Sequence, residues 1–95
     1  MGVRVVLADD HLVVRQGIRA LLEREGMDIV GEAGDGLEAA RMAALHHPDV
    51  MVLDVGMPTL NGISAVPDIL KASPETRIIL LTMHTEETYW LQALK

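Results

Sequence analysis

Three short apolar runs constrain this chain more than any other feature: VRVVLA (3–8), VMVLD (50–54) and RIILLT (77–82). Each has the length of a strand, is rich in β-branched or large aliphatic residues, and lacks the strict polar alternation of a half-exposed strand. Near-continuous apolarity at that length marks a parallel strand covered on both faces. A fourth run, MDIVGEAG (27–34), is weaker and more polar, as expected of an edge strand. VRVVLA leads directly into Asp9 and Asp10, and VMVLD ends in Asp54. A buried strand that finishes in charge is the oddity to be explained.

Segments of helical period lie between the runs. Val14, Ile18, Leu21 and Leu22 share one face of a first helix, with Arg15, Arg19 and Glu23 on another, and Gly26 is its stop signal. Asp35 is placed to cap a second helix carrying Leu37, Ala40, Ala43 and Ala44, which must end before Pro48. In the third, Ile63, Val66, Ile69 and Leu70 are helically spaced but Pro67 sits among them. Capping at Ser64 rather than Asn61 puts Pro67 in the first turn, where its missing N–H costs little, and predicts a short helix over about 65–72. A fourth helix is expected from Thr85, with Glu86 and Glu87 in its first turn and Trp90, Leu91 and Leu94 on its core side.

The order is therefore βαβαβαβα over a single domain, 1–95. Right-handed crossovers turn such a chain into a three-layer α/β sandwich, with helices on both faces of a parallel sheet. In open sheets of this kind ligands bind beyond the carboxyl ends of the strands, where strand order reverses. For the flavodoxin-like order 2-1-3-4 that point lies between strands one and three, and Asp9, Asp10, Asp54 and Thr82 converge on it. Two carboxylates about 4 Å apart repel by roughly 4 kcal/mol at an effective dielectric near 20. The cluster must raise a pKa or bind a cation. An all-oxygen donor set favours a hard cation, Mg²⁺ above all, and a carboxylate beside it suits phosphoryl acceptance.

Composition closes off other classes. The net charge is -6, from 14 acidic and 8 basic residues, without any Lys/Arg cluster, so no nucleic-acid contact is expected of this segment. Tyr89 and Trp90 are the only aromatic residues, too few for a base-stacking platform. No apolar stretch approaches the ~20 residues that cross a bilayer. The N-terminus runs straight into a strand pattern without a cleavable signal, and cysteine is absent, which together point to the cytoplasm. His46, His47 and His84 lack the spacing of a zinc site. His11, beside the acidic pair, could feel a bound metal but is read first as opening the first helix.

VLADDH followed by VRQGIRALLE, then VLDVGMP…NG, then IILLTMH resemble, in order and spacing, the receiver domain of a two-component response regulator. The resemblance extends along the whole chain and is greatest to receivers that precede a LuxR-type (NarL/FixJ) helix-turn-helix domain. It implies that Asp54 is the phosphoacceptor, taking a phosphoryl group from a sensor histidine kinase. Asp9, Asp10 and Asp54 would hold Mg²⁺ together with the backbone carbonyl of Gly56. Thr82 would be the switch hydroxyl, and Met57 and Pro58 the loop behind the acceptor. The output would be transcription regulation through a helix-turn-helix DNA-binding domain. The chain would thus be a phosphoacceptor and not a free-standing enzyme; an Asp-nucleophile phosphohydrolase would need a second acid at position 56, where glycine stands.

A complete receiver has a fifth strand, ending in a phosphate-contacting lysine, and a fifth helix. The sequence reaches Lys95 before either, and Lys95 does not match that lysine. Two expectations follow. The fourth strand becomes a bare edge that invites a homodimer or a strand-exchanged oligomer. Phosphorylation of Asp54 is weakened, to the limit of a non-phosphorylated interaction module.

Overall fold

The computed structural model describes residues 2–57, 62–81 and 90–93. Strand β1 (Arg4–Ala8) leads into helix α1 (Leu12–Arg24), β2 (Asp28–Ala33), α2 (Gly36–His46), β3 (Val50–Asp54), α3 (Gly62–Ala72) and β4 (Arg77–Leu81). These strands pair in parallel in the order 2-1-3-4, so the α/β fold and the strand order expected from the apolar runs are both present. β2 is an edge strand, as its weaker apolarity implied.

Alternation along the strands divides the core in two. Val6, Ala8, Met51, Leu53, Ile78 and Leu80 pack with Ala39 and Ala43 of α2 and Ala65 and Ile69 of α3. Val5, Leu7, Val52 and Leu81 face the other way, against Ile18 and Leu22 of α1. The α2/α3 side is the denser layer. No residue of α1 is fully buried, and Leu21 is 58% exposed. The first layer owes its closeness to small residues. A Cβ on Gly31 would stand 3.1 Å from the Met42 sulfur, so the bare glycine lets α2 lie tight on β2.

Helix ends follow the sequence signals. Asp35 accepts a hydrogen bond from the Glu38 N–H at 2.8 Å, the N-cap expected of it. Gly26, just past α1, has φ 87°, which a glycine adopts without strain. At the opposite end of the sheet from the strand-end carboxylates, the Thr76 hydroxyl donates to the Pro48 carbonyl at 2.7 Å and pairs with the Ser73 hydroxyl, tying the start of β4 to the start of β3.

Two expectations are corrected. Helix α3 begins at Gly62, not after Ser64, so Pro67 lies inside it. The ring removes the hydrogen bond to the carbonyl four residues back, that of Ile63. Ile63 is 55% exposed and Pro67 is exposed, so the gap falls on the solvent side, where an unpaired carbonyl costs least. Meanwhile Ala65 and Ile69 anchor the opposite side in the core.

The second correction concerns the end of the chain. Residues 90–93 do not continue a fourth helix; Trp90–Ala93 form β5, antiparallel to β4, with Leu81 opposite Trp90 and Ile78 opposite Ala93. Unpaired N–H and C=O groups along a strand are a stronger demand than weak helical periodicity in a short segment. The edge of β4 is therefore paired within the chain and is not the bare edge on which an oligomer was expected to form. Residues 82–89, where that helix was to begin, lie outside the described residues.

Pro67→Ala should stabilise the protein by about 1–2 kcal/mol, since helix-interior proline costs more than the unfolded-state entropy it removes. Urea denaturation would measure this, and an unchanged or lowered midpoint would contradict it.

Candidate functional site

The register of the sheet builds the site. Ala8 of β1 lies opposite Leu53 of β3, so the residues that follow, Asp9 and Asp54, emerge side by side. Both are buried, Asp9 to 1% and Asp54 to 4% exposure. Asp10 and His11 follow on the exposed turn into α1. One ligating atom from each of Asp9, Asp10, His11 and Asp54 falls within 4.8 Å of the other three. The convergence expected of the three carboxylates is thus present.

Backbone and side-chain bonds hold these groups in place. The Asp9 N–H donates to the Ala33 carbonyl at 2.9 Å, extending the β1–β2 ladder one residue beyond the strand. Asp9 Oδ1 accepts from the His11 N–H at 2.8 Å. Arg15 Nη1 donates to the Asp9 carbonyl at 2.9 Å and reaches the Ala33 carbonyl at 3.4 Å. Arg15 Nε forms an ion pair with Glu32 Oε1 at 2.7 Å, and Arg19 pairs with the other oxygen of Glu32 and with Glu23. One helical face thus clamps the turn that carries the acidic pair. Arg15 and Glu32 went unrecognised as site residues; the polar stripe Arg15–Arg19–Glu23 was visible, but nothing local indicates that Arg15 turns back to a carbonyl six residues earlier.

Asp54 Oδ1 accepts from the Gly56 N–H at 3.0 Å, while the Val55 N–H donates to the Leu81 carbonyl. Burial pushes the Asp54 carboxyl above the usual carboxylate range. The Gly56 N–H opposes this, and the negative charges of Asp9 and Asp10 add to it. Met57 is buried in the α2/α3 core, so the segment after Asp54 is anchored by a hydrophobic side chain. Leu81 lies opposite Asp54 in the β3–β4 register. Thr82 and Pro58 lie outside the described residues.

The donor set suits a hard divalent cation. Asp9 Oδ2 is buried and has no hydrogen-bond partner among the described residues. An orphaned carboxylate oxygen inside a cluster of carboxylates is expensive unless a cation satisfies it. Clustered carboxylates are among the oxygen ligands that Mg²⁺ takes.

Residues 5–95 match the response regulator receiver domain. The chain belongs to that family. Among curated proteins, the oxygen regulatory protein NreC of Staphylococcus epidermidis is 43% identical over 94 residues, covering 97% of this chain and 43% of NreC. The chain thus spans less than half the length of that relative. A LuxR-family two-component response regulator from Aurantimonas is 40% identical, with a TM-score of 0.82 over 90% of this chain and 61% of its own. The receiver domain of a sensor histidine kinase from Pseudomonas aeruginosa, solved with magnesium coordinated in its active-site cleft, is 28% identical. Its TM-score is 0.77, covering 84% of this chain and 66% of that one. The receiver family and its relation to NarL/LuxR-type regulators, read from the sequence motifs, are both upheld. Among the described residues no helix is long and apolar enough to cross a membrane.

Two substitutions test how the receiver holds its charges. A carboxyl whose folded pKa is raised weakens the fold once ionised; the penalty is absent below its ordinary pKa and sets in as pH rises through the folded value. In EDTA at neutral pH, Asp54→Asn should therefore be more stable than wild type, and the gain should fade as pH is lowered toward about 4. Denaturation curves showing no gain at neutral pH, or the same gain at both, would contradict the assignment. Arg15→Ala should cost roughly 1–3 kcal/mol, because the Asp9 and Ala33 carbonyls lose their shared donor and the Glu32 carboxylate loses an ion-pair partner; a change within about 0.5 kcal/mol would show the clamp to be inert.

Proposed function

We propose that this receiver domain accepts a phosphoryl group on Asp54 from the phosphohistidine of a sensor histidine kinase, in a Mg²⁺-dependent transfer. The observation that carries the reading is the pairing of two buried carboxylates at adjacent strand ends, Asp54 against Asp9, with an unpartnered oxygen on Asp9. Asp9, Asp10, Asp54 and the carbonyl of Gly56 would hold the ion, in keeping with the magnesium in the cleft of the Pseudomonas relative. When bound, it neutralises the cluster and the charge of the incoming phosphoryl oxygens.

The remaining chemistry belongs to the chain. An ionised Asp54 oxygen forms the new bond to phosphorus as the bond from phosphorus to the donor's histidine nitrogen breaks. The Gly56 N–H holds Oδ1 of Asp54 and so orients the attacking carboxylate. Arg15, through the Asp9 carbonyl, is a positioning residue for the acidic pair. Transfer adds about -1.5 to -2 charge at the end of β3. Thr82, with Met57 and Pro58 behind the acceptor, would register that charge as the switch hydroxyl and acceptor loop. In the longer protein this switch would govern a helix-turn-helix DNA-binding domain and so transcription, as the kinship with LuxR-family regulators suggests.

Acetyl phosphate with Mg²⁺ should add one phosphoryl group, read by intact mass, and the adduct should disappear in EDTA and in Asp54→Ala. Labelling that survives either condition would sink the proposal. An absence of labelling under any condition would favour the interaction-module reading.

A further inference from the structure

The acidic cluster includes a residue that the magnesium reading does not use. His11 lies on the exposed side of the crevice, its side chain 66% accessible, with Nδ1 3.2 Å from Asp10 Oδ1 and 3.5 Å from Asp9 Oδ1. It occupies the N-cap position of α1, but its side chain makes no capping bond to the helix. The imidazole is directed instead toward the carboxylates.

The distances suit a direct imidazole–carboxylate contact and equally ligands sharing one ion. Neighbouring donors about 2.1 Å from an octahedral cation stand about 3 Å apart. The Nδ1-to-carboxylate separations are close to this, and the ligating atoms of all four residues lie within 4.8 Å of one another. The unpartnered Oδ2 of Asp9, on a side chain 1% exposed, independently marks the cluster as a cation site. Nitrogen changes which cation is preferred. Mg²⁺ gains little from imidazole, whereas Mn²⁺, Co²⁺ and Ni²⁺ gain progressively more from a nitrogen donor, and Zn²⁺ also favours it.

We infer that His11 is a fourth side-chain ligand of this site, through Nδ1, and equips it to take a borderline divalent transition metal in competition with Mg²⁺. The inference rests on the reading that the acidic cluster holds a divalent ion, and extends it to which ions the site selects. Hydrogen bonds from the His11 N–H to Asp9 and from Arg15 to the Asp9 carbonyl fix the backbone from which the imidazole projects.

Calorimetric titration of Mg²⁺ and of Ni²⁺ into wild type and His11→Asn, at about pH 8 where free imidazole is neutral, tests this. Asparagine is a favourable N-cap, so α1 keeps its start in the variant. In wild type, excess Mg²⁺ should displace Ni²⁺, which places both ions at one site. His11→Asn should weaken Ni²⁺ about tenfold or more while Mg²⁺ affinity changes less than about twofold. Equal changes for both ions, or none, would overturn the role of His11 and leave the magnesium reading standing. Ni²⁺ uptake that excess Mg²⁺ fails to displace would lie at other histidines and would overturn it as well. A wild-type protein that binds no Mg²⁺ would remove the cation reading itself.

Discussion

The parallel register of β1 and β3 is the constraint on which the rest of the molecule depends. It places Ala8 opposite Leu53 and so brings Asp9 and Asp54 out together at the carboxyl edge. Shifting that pairing by one residue would turn Met51 and Leu53 away from the α2/α3 core and separate the acidic side chains. The same alternation that sorts the apolar side chains into two cores therefore assembles the site. Stability and function are coupled through a single strand pair.

The coupling has an electrostatic cost. Burial and neighbouring negative charge raise the Asp54 carboxyl above its ordinary range, and Asp9 retains an oxygen without a partner. The surrounding bonds do not remove this strain; they hold it in a defined geometry. The Gly56 N–H fixes one oxygen of Asp54, while Arg15, braced by Glu32, fixes the backbone of the acidic turn. A carboxylate cluster preorganised in this way suits a cation with little rearrangement. His11, beside the same carboxylates on the solvent side, brings a nitrogen to the carboxylate cluster.

Much of the fold was legible because its signals are local. Short apolar runs identified the parallel strands, Asp35 capped α2, and the polar character of 27–34 marked an edge. The two misreadings have a common origin in treating local propensity as decisive. Pro67 inside α3 is tolerated because Ala65 and Ile69 anchor the helix from the other side and the lost bond faces solvent. Trp90–Ala93 became a strand because β4 presented an open ladder, which no reading of residues 85–95 in isolation would reveal. Arg15 escaped notice for a related reason: its partners are a carbonyl and a carboxylate brought near only by the packing of α1 on β2.

By itself, the sequence determined which segments are the four parallel strands, the alternation with helices that makes an α/β sheet, and the strand ends that carry carboxylates. These follow from side-chain chemistry and period, which are properties of neighbouring residues. The tertiary structure alone decided which oxygen of Asp9 is left without a partner, how Arg15 clamps the acidic turn, where His11 directs its imidazole, and that the last described residues close the edge of β4. Each of those depends on groups far apart in the chain. Their positions are set by register and packing, and only once the sheet has formed can a backbone or a carboxylate find, or lack, its partner.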